Sequence, residues 1–126
     1  LLLGLVLGNG LLKNLIARTR PYDINTDFRL LVKKLSDYSF PSGHTLASFE
    51  CASVLVIKYK KLGIPALILA VFIAFSRLYL YVHYPTDVMA GAILGTAFGF
   101  LAVFIVNKCD NKIKGIKTEK KNFSNI

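Results

Sequence analysis

The chain has 126 residues, 54% of them hydrophobic, with 16 Lys and Arg against 7 Asp and Glu and a net charge of +9. That length allows one compact domain, and a mean hydropathy of +0.52 excludes an ordinary soluble one. The basic residues lie between apolar runs and at the C-terminus, a pattern that fits a membrane surface and anionic lipid rather than nucleic acid.

The first predicted element runs from Leu1 to about Arg18 and ends at Pro21. Its apolar opening, LLLGLVLGNG, has no Met and no basic leader, so it reads as a chain from which an N-terminal portion is missing. Gly4 and Gly8 have the spacing for close helix packing. Residues 22–40 are mixed. Leu30, Leu31, Val32 and Leu35 beside Arg29, Lys33 and Lys34 fit a short amphipathic segment on the membrane surface, or equally a plain loop.

A second helix is predicted over Gly43 to Ile57, with Ser42 as its N-cap. It is short for a bilayer core of ~30 Å. After the basic KYKK turn, a third helix covers Ile64 to about Val82, with Pro65 in its first turn. Pro85 breaks the chain, and Tyr84 or Thr86 is placed to cap a fourth helix over Asp87 to Asn107. Gly91, Gly95 and Gly99 repeat the GxxxG spacing there. From Lys108 a tail with six lysines follows, expected to be flexible beyond Lys114. The domain reading is therefore a membrane-embedded unit over 1–107 and a basic cytoplasmic tail over 108–126. A soluble four-helix bundle would need polar helix faces, and ALILAVFIAF and AGAILGTAFGFLAVFIV have almost none. The two cysteines make no disulfide framework and are expected to be free.

The chain alternates sides of the membrane. The KYKK turn and the tail carry most of the lysines, which puts them on the cytoplasmic side and the other two connections outside. Three clusters fall on that outer side. In KNLIARTRP, Lys13 and Arg20 are seven residues apart, so one helix would put both on one face, able to reach one anion. Taken singly they could equally be snorkelling cations.

In FPSGHT, Ser42, Gly43 and His44 sit where a helix begins, and free N–H groups and the helix dipole favour an anion there. A plain capped helix start is the alternative. In SRLYLYVHYPTD, Arg77 can hold phosphate oxygens in a bidentate grip. A carboxylate at Asp87 could bind one ring nitrogen of His83 and leave the other free to attack. Two histidines and an aspartate would also suit zinc, but the cations converging on the same place would repel a divalent ion. Phosphate fits the environment better.

Together, KNLIARTRP, PSGH and SRLYLYVHYPTD resemble the three signature motifs of the type 2 phosphatidic acid phosphatase family of membrane lipid phosphatases: K-x6-RP, PSGH and SR-x5-H-x3-D. All three match in order over residues 13 to 87. The resemblance implies an all-α integral membrane bundle, here with about four transmembrane helices of the six usual in the family. It implies that Lys13, Arg20, Ser42, Gly43 and Arg77 hold the phosphate. His83 attacks phosphorus to form a phosphohistidine, Asp87 orients His83, and His44 protonates the leaving oxygen. No metal or other cofactor is implied.

The expected substrate is a lipid phosphate or diphosphate on the extracytoplasmic face of the cell membrane, with undecaprenyl diphosphate or phosphatidylglycerol phosphate favoured. Membrane lipids are the expected surroundings and no nucleic acid partner is implied. A neutral His83 and a protonated His44 predict a bell-shaped pH profile. The alternatives are a vanadate-dependent haloperoxidase, which shares the fold and site, and a non-catalytic binder of lipid phosphate. Glu50, an acid inside the second helix, has no place in these motifs and reads as cavity-facing or protonated. Tyr79, Tyr81 and Tyr84 read as an interfacial belt.

Overall fold

The computed structural model describes residues 1–27 and 30–123, with side chains through Lys114. Among these residues all regular structure is helical. Helix α1 is continuous from a π-helical stretch, Gly4–Leu12, into an α-helical turn, Lys13–Ile16. Helices α2 (Pro21–Ile24), α3 (Gly43–Lys58), α4 (Lys60–Tyr79) and α5 (Pro85–Phe123) follow.

Helix α3 is the centre of the bundle, with α4, α5 and α1 packed around it. The glycine ladder of α5 makes this possible. A Cβ on Gly95 would lie 2.3 Å from the Leu46 carbonyl oxygen, so the two backbones meet with no room for a side chain. Gly4 and Gly8 of α1 abut the Leu46 side chain in the same way. The expected close packing at both glycine patterns is therefore present, and α3 is the shared partner.

Helices α4 and α5 are long and apolar enough to cross a membrane, and only 17% and 28% of their apolar windows are buried. At 1.5 Å per residue, the 20 residues of α4 span about 30 Å, the thickness of a bilayer core. Phe72, Phe75, Ile93 and Phe104 all point outward. A soluble domain would bury such side chains, so lipid is the solvent these faces fit. The 16 residues of α3 reach only about 24 Å, as its sequence leads one to expect.

Several boundaries differ from the sequence reading. Helix α1 stops at Ile16 rather than near Arg18, because Ala17 turns left-handed (φ 46°) as its C-cap. Lys13 and Arg20 therefore do not share a helix face. Helix α4 begins at Lys60 and ends at Tyr79, and Pro65 lies inside it rather than in its first turn. Helix α5 begins at Pro85 rather than Asp87 and runs past Asn107 to Phe123. The stretch from Leu30 to Leu35 is a loop, one of the two readings its sequence allowed. Phe28 and Arg29, part of that expected segment, lie outside the described residues. Both cysteines are free and exposed.

Candidate active site

The loop before α3 is held in place by two buried side chains. Tyr22, 2% exposed, fastens it at Leu35: its hydroxyl donates to the Leu35 carbonyl (3.1 Å) and accepts from the Leu35 amide (3.0 Å). Arg20, 2% exposed, binds the loop further along. Its Nε donates to the Asp37 carbonyl (2.9 Å) and its Nη2 to the Tyr38 carbonyl (3.3 Å). Arg20 Nη1 donates to the Val82 carbonyl (2.8 Å), in the turn between α4 and α5. One guanidinium thus ties together two segments distant in sequence.

That turn presents His83. Tyr81 has φ 57°, a left-handed conformation that costs a non-glycine residue roughly 1–2 kcal/mol. The chain leaves α4, passes through buried Val82 and puts the His83 ring, 4% exposed, against Arg20. Arg20 Nη1 stands 3.4 Å from His83 Nε2. The other ring nitrogen, Nδ1, is 3.6 Å from Asp87 Oδ2 and 3.5 Å from Ser39 Oγ.

Asp87 is fully buried, and its position follows from local helix chemistry. Pro85 opens α5 and Asp87 stands two residues further on, where a carboxylate can reach back to the first free amide. Its Oδ2 accepts from the Tyr84 amide at 2.9 Å. The same oxygen accepts from the Ser39 hydroxyl, and Oδ1 accepts from Arg18 Nη1 at 2.7 Å. Arg18 also donates to Thr86 Oγ1 (2.6 Å) and lies 3.9 Å over the Tyr84 ring. Tyr84 is thus packed by Arg18 rather than serving only as part of a belt, while Tyr79 is exposed.

A cavity of about 290 Å³ opens in front of His83, and Lys13, Arg20, Asp37, Gly43 and His44 line it. Gly43 and His44 are the first residues of α3, so the helix's free amides face this space. Lys13 is 6% exposed, and its Nζ is paired with Asp37 Oδ2. Arg20 Nη2 meets Asp37 Oδ1 at 2.6 Å. Burial raises the Asp37 pKa, but the hydrogen bonds from Lys13 and Arg20 outweigh it and hold the carboxyl below its ordinary value.

Of the eight residues singled out from the motifs, Lys13, Arg20, Gly43, His44 and His83 share this cavity, with Asp87 behind the His83 ring. Ser42 is buried at the N-cap without a side-chain capping bond, its Oγ 3.0 Å from Thr45 Oγ1. Its amide donates to the Asp87 carbonyl (3.1 Å), so it braces α3 against α5 rather than lining the cavity. Arg77 is not among the lining residues. Its Nε bonds the neighbouring Ser76 hydroxyl at 3.2 Å, and its charge acts on His44.

Four residues escaped the sequence reading: Asp37, Ser39, Arg18 and Asn9. Asn9 lines the cavity with an unpartnered, buried Oδ1. It precedes Lys13 by four residues and is the lone amide in an apolar run, a signal open to view. Arg18 lies inside the K-x6-R spacing, and Asp37 and Ser39 stand just before PSGH. Their partners come from other segments, and no spacing rule reveals that.

Glu50 is 1% exposed. Its Oε2 is buried and has no hydrogen-bond partner. It lines a cavity of about 280 Å³ with Leu46 and Gly4, consistent with the cavity-facing reading.

The model of the PAP2 superfamily matches residues 1–110. The chain belongs to the PAP2 superfamily. An undecaprenyl-diphosphatase of Sulfolobus acidocaldarius is 40% identical over 94 residues, 74% of this chain and 46% of the relative. A lipid A 4'-phosphatase of Bacteroides thetaiotaomicron is 34% identical over 113 residues, 84% of this chain and 50% of the relative. Among solved structures, the transmembrane PAP2-type phosphatidylglycerolphosphate phosphatase from Bacillus subtilis superposes with a TM-score of 0.65 at 39% identity, covering 79% of this chain and 52% of the other. The chain thus spans about half the length of the relatives it matches. Membership of the PAP2 superfamily and the exposed apolar faces of α4 and α5 together mark it as a membrane protein.

Proposed function

We propose that this chain carries the active site of a lipid phosphatase that hydrolyses a phosphate or diphosphate ester through a phosphohistidine, without a metal. The observation that carries the reading is His83. One ring nitrogen is backed by buried Asp87, and the other faces a cavity lined by buried cations. With the Nδ1 proton directed at Asp87, Nε2 keeps its lone pair for attack.

In the first step the Nε2–P bond forms and the P–O bond to the lipid breaks. His44 donates its proton to the departing oxygen. In the second step water attacks phosphorus, His44 accepts the water's proton, the N–P bond breaks and inorganic phosphate leaves. Lys13, Arg20 and the amides at the start of α3 stabilise the charge on the equatorial oxygens, where most of the catalysis of phosphoryl transfer resides. Arg77 joins them if it turns from Ser76 toward His44.

The substrate classes to test come from the relatives: undecaprenyl diphosphate, phosphatidylglycerol phosphate and lipid A phosphate. We place the site on the extracytoplasmic face, with 1–107 as the membrane unit and the lysine-rich segment from 108 in the cytoplasm.

The deciding experiment is phosphate release from these lipids by the protein in detergent, with EDTA present. Release from one of them despite chelation supports the reading and names the substrate class. A folded protein that binds the lipids but releases no phosphate would make this a non-catalytic lipid-phosphate binder.

A further inference from the structure

Arg20 poses an accounting problem. A guanidinium has five N–H donors, and in this structure each faces a partner. Three meet backbone carbonyls, those of Asp37, Tyr38 and Val82. One faces His83 Nε2, where phosphorus must arrive in the proposed mechanism. The last meets the Asp37 carboxylate.

The carbonyl contacts hold the loop and the His83 turn in place, so they cannot be given up without dismantling the site. Phosphate oxygens can take over two donors, the one that faces His83 Nε2 and the one on Asp37 Oδ1, and only the second exchange displaces an anion. The other oxygen of the same carboxylate sits on Lys13 Nζ. The two cations assigned to phosphate are therefore bridged by a single internal anion, each oxygen on one of them.

Asp37 is suited to leave. Its side chain is 51% exposed, whereas those of Lys13 and Arg20 are 8% and 2% exposed. Among the described residues its loop has no helix between α2 and α3. The lowered pKa keeps the carboxylate charged, so it competes as an anion rather than as a neutral acid.

Resting on the phosphatase reading, we propose that Asp37 is a resident counter-anion that substrate phosphate displaces from Lys13 and Arg20, and that it sets phosphate affinity and helps expel product phosphate. In the empty site its single negative charge is shared between two buried cations and offsets one of their two positive charges. On binding, a phosphoryl group takes over both contacts and Asp37 turns toward solvent. After hydrolysis it returns and competes with inorganic phosphate for the same donors.

The test is the affinity of inorganic phosphate for wild-type protein and for Asp37→Asn and Asp37→Ala in detergent, measured by calorimetry and by the phosphate-induced rise in Tm. If the uncovered state is about a tenth of the wild-type population, removing the competitor tightens phosphate binding about tenfold. The variants should also melt lower than wild type when empty and gain more Tm from phosphate.

A purely structural Asp37, one that merely anchors the two cations, predicts the opposite: weaker phosphate binding in both variants. Equal or weaker affinity in the variants overturns the inference and leaves the phosphatase reading standing. No phosphate binding by any of the three proteins overturns the inference, and the phosphatase reading is then decided by phosphate release from lipid. The two variants guard against a folding defect in either one, since phosphate rescue of Tm reports on the site directly.

Discussion

Two aspartates serve this site, and their surroundings are opposite. Asp87 is fully buried, and its oxygens are taken by Arg18, Ser39 and the Tyr84 amide, with the His83 ring beside them. Asp37 is half exposed and its carboxylate is held by two cations alone. A carboxylate with converging donors and no water is fixed in both charge and direction. One with solvent on its open side can exchange partners at modest cost. The same side chain therefore serves as a rigid orienter at one end of the cavity and as a removable counter-anion at the other.

The sharpest separation of the two regions is at His83. His83→Ala should lower turnover by about 10⁴-fold or more while phosphate binding to the Lys13–Arg20 cluster persists. Single-turnover release and phosphate calorimetry on one preparation check both halves. Turnover unaffected by the change would end the phosphohistidine mechanism.

Next is Asp87→Asn, which preserves shape but loses the charge behind the ring. A fall of roughly 10²- to 10⁴-fold in kcat with little change in KM is expected, by analogy with the orienting aspartate of serine proteases. If Asp87 is as exchangeable as Asp37, the loss will be small and the contrast between them fails.

Arg18→Ala should be milder, roughly ten- to hundredfold in kcat, because Ser39 and the Tyr84 amide still hold the other oxygen of Asp87. The bell-shaped pH profile, whose two limbs are both set by histidines, should shift, and Arg18→Lys should recover part of the rate. A Tm loss with an unmoved pH profile would make Arg18 a purely structural residue.

The smallest effect concerns acid stability. The folded state lowers the Asp37 pKa from its ordinary 3.8, so its contribution is complete above that value and is lost as pH falls below it. In Asp37→Asn this component of the pH dependence should be absent. Thermal unfolding of both proteins between pH 6 and 3 measures it, and parallel curves would show that the pairing with Lys13 and Arg20 adds nothing to stability.

Much of the site could be read from the chain. Pro85 followed two residues later by Asp87 defines a helix start with a carboxylate on its first free amide, and a histidine four residues before that carboxylate falls beside it. The glycines of α5 at spacing four announce a seam. Such features depend on neighbours within a turn or two, where helix geometry alone sets distances. The sequence reading put Lys13 and Arg20 on one helix face, and the structure brings them to one cavity by another route. Their spacing matched a helix face, but Ala17 ends the helix, and the two cations meet at Asp37 through a turn.

The sequence by itself determined the all-helical, lipid-facing character of the chain, the three motif clusters and the His83–Asp87 pairing, because hydropathy and helical periodicity are local quantities. Only the tertiary structure decided what each charged group touches. It put Arg18 on Asp87, bent the loop so that Ser39 reaches the same carboxylate, turned Ser42 toward Thr45, and set Asp37 across Lys13 and Arg20. A buried charge takes whichever opposite charge packing brings near it, and that choice is made by the docking of α3 against α1 and α5, not by spacing along the chain.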